Sequence, residues 1–229
     1  MSNAWCNGSQ VYTRFFDSLS ILFPAWERAF AAVAKHHLES TTDPDLRARI
    51  KEFINEEMAH ASAHDAYNAR AGVTDLANAE IAKTQVVHRK PGHKLWLATM
   101  VSIENLAVCI GRMYLDRFQT HTGREHGLWA WHSREEIGHK ALAIDLWREL
   151  GYSDANMRAV ARQNQVYVLR FIAAYTLRGF DPKKARNWID LVSLLWNLTA
   201  KVLIPMLAIY RPGFHPNRRN DAKYLELPA

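Results

Sequence analysis

An all-α four-helix bundle, with an extra helix in its long crossover and further helices after it, is the fold this sequence predicts. Three observations lead there. Capping and stop signals divide the 229 residues into helical segments, and no strand-like alternation or short repeat competes with them. The tetrad Glu-x-x-His occurs twice, as Glu57-Met58-Ala59-His60 and Glu136-Ile137-Gly138-His139, each with a lone glutamate upstream, Glu27 and Glu104. The intervals then suggest a topology. Glu27 to Glu57 is 30 residues and Glu104 to Glu136 is 32, which suits antiparallel helix pairs with short turns. The 47 residues from Glu57 to Glu104 leave room for the one long crossover of a ferritin-like bundle.

The elements follow in order. A first helical segment starts near Tyr12 and is expected to break at Pro24, which suits the opening turn of a second helix continuing to His37. Asp43 caps and Pro44 starts a helix to about Arg70. Asp75 to His88 reads as the shorter crossover helix, closed by Pro91-Gly92. His93 to about Gln119 carries Glu104, and Gly123 opens a segment that runs to Leu150, where Gly151 stops it. Ser153-Asp154 caps a helix ending at Gly179. Asp181-Pro182 repeats that signature for a last long helix, kinked or broken at Pro205. The tail 211–229, rich in Pro, Asn and Arg, is expected to be irregular. The chain reads as one domain over 1–229, with its core bundle at about 12–150 and covering helices at 153–210.

Composition narrows the class. An apolar fraction of 48% with 8 Trp, 9 Phe and 8 Tyr argues for a packed core and against disorder. The net charge of +6 comes from scattered cations, compact only at Pro182-Lys183-Lys184-Ala185-Arg186 and Asn217-Arg218-Arg219, so no nucleic-acid partner is expected. Cys6 and Cys109 make no disulfide framework, and Met1 to Gln10 lacks a signal-peptide core. A cytoplasmic location is the default expectation. Leu191 to Tyr210 is the most apolar stretch, but Asn197, Lys201 and Pro205 interrupt it, and a buried or membrane-touching helix is expected rather than a span. Nucleotide-binding loops, Cys-x-x-Cys pairs and serine-hydrolase elbows are absent from the sequence.

Residues three and four apart share a helix face, so each Glu-x-x-His can offer both side chains to one metal. Glu57, His60 and His64 fall within an arc of about 60°, and so do His132, Glu136 and His139 in mirrored order. Four carboxylates carry the charge that two divalent ions cancel. Glu27, Glu57, Glu104 and Glu136 with His60 and His139 are therefore the predicted metal ligands. Oxygen and imidazole donors without thiolate suit iron first, with manganese or zinc as alternatives. His64 and His132 are either further ligands or hydrogen-bond partners of ligands. Glu56 and Glu135, about 100° around the helix, are read as supporting or surface groups. Glu56, His64 and His132 are also candidate proton carriers in catalysis. Asp65 and Asp145 are read as surface or helix-pairing charges ahead of a role in orienting the histidines, and Trp26, Trp129 and Trp131 pack beside ligands or line a substrate pocket.

These residues resemble a family named predicted metal-dependent hydrolases, over roughly residues 12 to 221. The resemblance is carried by Phe23-Pro24-Ala25-Trp26-Glu27 and by Phe53-Ile54-Asn55-Glu56-Glu57-Met58-Ala59-His60-Ala61-Ser62-Ala63-His64. Most specific is Trp131-His132-Ser133-Arg134-Glu135-Glu136-Ile137-Gly138-His139-Lys140, followed by Ala143-Ile144-Asp145. Phe214-His215-Pro216 matches a further family feature and implies that His215 approaches the site. The chain departs from the family pattern at Glu56, Asn105 and Gly138, where glutamine, histidine and glutamate are common. The resemblance implies a ferritin-like fold and two activities, since some members resemble non-haem di-iron monooxygenases. An oxygenase or oxidase acting on a small hydrophobic organic substrate, with an external electron donor, is the leading expectation. A hydrolase using metal-bound hydroxide and a non-enzymatic metal-handling protein are its rivals. A homodimer and peripheral membrane contact are further expectations.

Overall fold

The computed structural model describes residues 4–90 and 92–226, which are mostly helical, with turns and short irregular stretches between the helices and no strands among them. The expected stop at Pro91, and the readings of residues 1–3 and 227–229, lie outside the described residues. The helices are α1 (Gln10–Leu38), α2 (Pro44–Ala71), α3 (Thr74–Arg89), α4 (Lys94–Phe118), α5 (Arg124–His139), α6 (Leu142–Glu149), α7 (Asp154–Thr176) and α8 (Ala185–Asn197). A π-helical stretch (Leu198–Leu203), α9 (Ile204–Met206) and a 3₁₀ turn (Leu207–Tyr210) prolong α8. The tail adds a 3₁₀ turn at Pro216–Arg218 and α10 (Ala222–Leu225).

Short turns at 39–43 and 119–123 fold α2 back along α1 and α5 back along α4, and the two pairs meet through α1–α4 and α2–α5. α1 and α4 are buried on nearly every side, as helices that are apolar all round must be. Phe15, Phe16, Leu19 and Leu22 of α1 pack with Leu97, Met100, Met113 and Tyr114 of α4 in one continuous core. Each such side chain contributes about 1.5–3 kcal/mol by burial. The crossover helix α3 packs on α1, and α7 covers both α4 and α1.

Four boundaries differ from expectation. α1 runs unbroken through Pro24. A proline leaves the carbonyl four residues earlier without its helical partner, but here the Asn68 side-chain amide donates to the Ser20 carbonyl at 2.8 Å. The missing bond is replaced from α2, so the helix has no reason to stop. The segment expected to reach Leu150 is instead divided at Lys140-Ala141 into α5 and α6. Lys140 there donates to Asp221 (2.5 Å) and to the Arg219 carbonyl (3.0 Å), anchoring the break to the tail. Asp181-Pro182 forms a turn, with Asp181 accepting from the Lys183 amide, and α8 begins only at Ala185. The tail is irregular apart from its two short helical turns, as expected, and ion pairs fasten it down: Asp221 with Arg112 and Lys140, and His215 with Asp145. Near Pro205 the chain widens to π-helix and continues, which accommodates the lost amide without a break.

Candidate metal centre

Four helices aim the predicted ligands at one place. Glu27 comes from α1, Glu57 and His60 from α2, Glu104 from α4, Glu136 and His139 from α5, and all are buried or nearly so. Donor atoms of Glu57, His60, Glu136 and His139 lie within 4.8 Å of one another, and so do those of Glu27, His64 and His132. Glu104 adjoins the first group, its Oε2 3.3 Å from His139 Nδ1. The grouping thus crosses the two helix pairs: the two tetrads meet each other, and the lone Glu27 meets the additional histidines.

The unpartnered atoms test whether these residues fit metal ions. Both carboxylate oxygens of Glu27 and Glu57, one oxygen each of Glu104 and Glu136, His60 Nδ1 and both nitrogens of His139 are buried without a hydrogen-bond partner. A buried polar atom left unpaired costs about 1–3 kcal/mol, more when charged, so this many converging on one spot fits cations. Electrostatics agrees. Burial, followed by mutual repulsion, raises Glu57 well above the usual carboxylate range, and burial raises Glu27 likewise. Burial also pushes Glu104 and Glu136 up to about 8. Four carboxyls that resist ionising alone can ionise together around positive charge.

Neighbouring groups orient the imidazoles. His60 turns Nε2 to Glu135 Oε2 (2.9 Å) and leaves Nδ1 facing Glu57 (3.7 Å) and Glu136 (3.6 Å). Burial alone would lower the His60 pKa, but the Glu135 hydrogen bond and the facing carboxylates push it up to about 11. The same hydrogen bond holds Glu135 below its usual range, and Trp131 Nε1 donates to the other Glu135 oxygen at 2.7 Å. Glu135 therefore fixes the ring that faces the metal site with Nδ1.

A second network determines which nitrogen His132 presents. Asn68 must donate its amide to the Ser20 carbonyl, so its Oδ1 accepts the single Ser20 hydroxyl proton at 2.9 Å. Ser20 Oγ must then accept from His64 Nδ1 (2.9 Å). Burial, reinforced by His60, keeps both His64 and His132 neutral. With its proton on Nδ1, His64 accepts at Nε2 from His132 Nδ1 (2.6 Å). The His132 proton is thereby spent, and its bare Nε2 points at Glu136 Oε1 (2.8 Å) and Glu27 Oε1 (3.8 Å). Both nitrogens of His64 are occupied; His132 Nε2, without a proton of its own, accepts from the Glu136 carboxyl, a bond that a metal ion would replace.

The remaining candidates separate clearly. Glu56 lies on the rim of an open cleft of about 390 Å³ that reaches His139, and burial raises its pKa. His215 does not join either donor group; its Nε2 lies 2.8 Å from Asp145 Oδ1. Asp145 also binds Arg49, and Asp65 pairs with Arg28, so neither orients the metal-side histidines. Asn105 donates to the Met206 carbonyl and ties α4 to α9. Gly138 lines the cleft, and a Cβ there would meet nothing within 4 Å. No Phe, Tyr or Trp lines the cleft among the described residues; Arg49, Arg134, Glu52, Glu56 and Glu135 do. Trp129 is buried against His132 instead, and Trp26 borders a separate cavity of about 310 Å³ with Trp96 and Ile103.

Fold and site define a helical-bundle protein with a His/Glu centre suited to two metal ions. A family profile described as predicted metal-dependent hydrolase matches residues 1–220, and the chain belongs to that family. No curated protein and no solved structure matches it.

Proposed function

We propose that the chain is an enzyme working through two divalent transition-metal ions, and that its chemistry is that of a di-iron oxygenase or oxidase. The observation that carries the reading is the set of unpartnered carboxylate and imidazole atoms around one buried centre. Glu57, Glu136, His60, His139 and Glu104 would hold one part of the pair, with Glu27 and His132 Nε2 completing the other. Four anionic donors neutralise two divalent ions and so blunt their power to acidify water, while they favour the higher oxidation states that oxygen chemistry passes through. When bound, ferrous ions would supply electrons and a place for O₂. The protein's part is to keep the centre dry, to fix His60 through Glu135, and to deliver substrate and protons past Glu56. The charged rim favours a small organic substrate carrying a polar group, and reducing equivalents come from an external donor.

Hydrolysis is the second reading. The cleft brings solvent as far as His139 and Glu56, where a metal-activated water could attack, and the family's description names that activity. One experiment divides the two. Protein loaded with iron under anaerobic conditions is expected to bind about two ions per chain, change its absorption on exposure to O₂, and place ¹⁸O from ¹⁸O₂ in a product. Turnover with zinc or manganese, without O₂ or reductant, would instead establish the hydrolase.

A further inference from the structure

α8 is built inside out. Its inner side buries Asn187, Leu194 and Asn197, and the asparagines are satisfied by the Asp181 carbonyl, the Ser193 carbonyl and the Tyr12 hydroxyl. Its outer side shows Trp188, Ile189, Val192, Leu195 and Trp196, 50–73% exposed. At 100° per residue these five fall within about 120° of arc, a single apolar stripe. Ile204 and Leu207 continue the exposure beyond the π-helical stretch. A soluble helix places these two sets of residues the other way round. A contiguous apolar patch of this kind marks a surface that meets something other than water.

Charge identifies what it meets. The turn leading into α8 exposes Arg178, Lys183 and Lys184. Between residues 170 and 205 the sequence holds six cations and two acids, most of the chain's net charge of +6. An apolar stripe with tryptophans, bordered by lysine and arginine, is the pattern of a helix lying in a membrane interface. A second, equally basic copy of the chain would be repelled by the same turn. Crossing the bilayer is a different matter. Asn197 holds the inner side to α1 through the Tyr12 hydroxyl, and Val202, Met206 and Ile209 are buried, so the helical run 185–210 cannot leave without stripping its own core. We propose that the outer face of α8 docks in the plane of an anionic lipid bilayer, with the 178–186 turn on the headgroups and Trp188 and Trp196 at the acyl boundary.

The test uses the full chain and sedimentation with vesicles of phosphatidylcholine, alone or with roughly one third phosphatidylglycerol. Binding is expected with the anionic vesicles and should weaken as salt is raised. Lys183→Glu with Lys184→Glu should weaken it at least about tenfold, and Ile189→Asp with Trp196→Asp should abolish it. All four side chains are exposed, so melting temperature and metal content should not change. Absence of wild-type binding to anionic vesicles would overturn the proposal, as would binding that survives the aspartates. If instead the aspartates split a dimer in sedimentation velocity while lipid has no effect, the face belongs to a second copy.

Discussion

At the scale of single residues, the centre depends on groups that carry no metal-binding signature. Four of the six predicted ligands are legible because Glu-x-x-His places two donors on one helical face and occurs twice, and the lone Glu27 and Glu104 are legible because each precedes a tetrad at a matched interval. Ser20 and Asn68 are not, because a lone polar residue in an amphipathic helix ordinarily faces water. Two traces were present in the sequence: Asn68 extends the Glu57, His60, His64 stripe by one more turn, and Ser20 stands four residues before Pro24. Their role can be tested by Asn68→Ala. The Ser20 carbonyl then loses its donor, which costs about 1–3 kcal/mol of stability. The Ser20 hydroxyl, released from Asn68, can donate to His64 Nδ1 and reverse the chain of tautomers, closing His132 Nε2 with a proton. Metal affinity is expected to fall about 10–100-fold, with the ion beside Glu27 lost first. Imidazole ¹⁵N shifts in the metal-free protein report the tautomers directly. Unchanged shifts and unchanged affinity would reduce Asn68 to a helix repair.

Secondary-structure elements follow local signals where the chain acts alone and depart from them where a distant residue intervenes. Asp43-Pro44 starts α2 where expected, because its capping bonds to Asp45 and Leu46 are local. Pro24 fails to end α1 because Asn68, on another helix, replaces the missing bond. The tail is as irregular as its composition suggests, but its anchoring was not legible: Asp221 fastens it by joining Arg112 of α4 to Lys140 at the end of α5. Burial works to raise the Asp221 carboxyl, but its bonds to Arg112 and Lys140 outweigh burial and hold it below the usual range. The sign of the pH effect follows. The latch contributes fully above the unfolded carboxyl pKa of about 3.9, and its stabilisation is lost as pH falls through the lower folded value. Asp221→Ala leaves Arg112 buried and unpaired and should cost about 3–5 kcal/mol at neutral pH. Melting temperature against pH checks it: the gap between wild type and variant should close only at strongly acid pH. A gap already closed at neutral pH would show that the tail is held by something else.

For the molecule as a whole, the sequence intervals anticipated the two helix pairs, because turns of five residues at 39–43 and 119–123 admit only antiparallel neighbours. What they could not supply was the crossing of the ligand sets, since which carboxylate faces which imidazole depends on how the pairs pack. That packing encloses four acids in one core and makes stability conditional on metal. Binding to the folded state alone stabilises it by about 4 kcal/mol when free metal stands a thousandfold above its Kd. Chelation should therefore lower the melting temperature markedly. Glu57→Ala with Glu136→Ala separates this from ordinary loss of packing, because its sign reverses with the metal. In metal-loaded conditions the double variant should melt below wild type and bind little metal. In metal-free conditions it should melt above wild type, since two buried, mutually repelling carboxyls have been removed. Calorimetry of both proteins with and without chelator reads all four states. A double variant less stable than wild type in chelator as well would mean that these glutamates serve the fold without metal, and the two-ion centre would have to be abandoned.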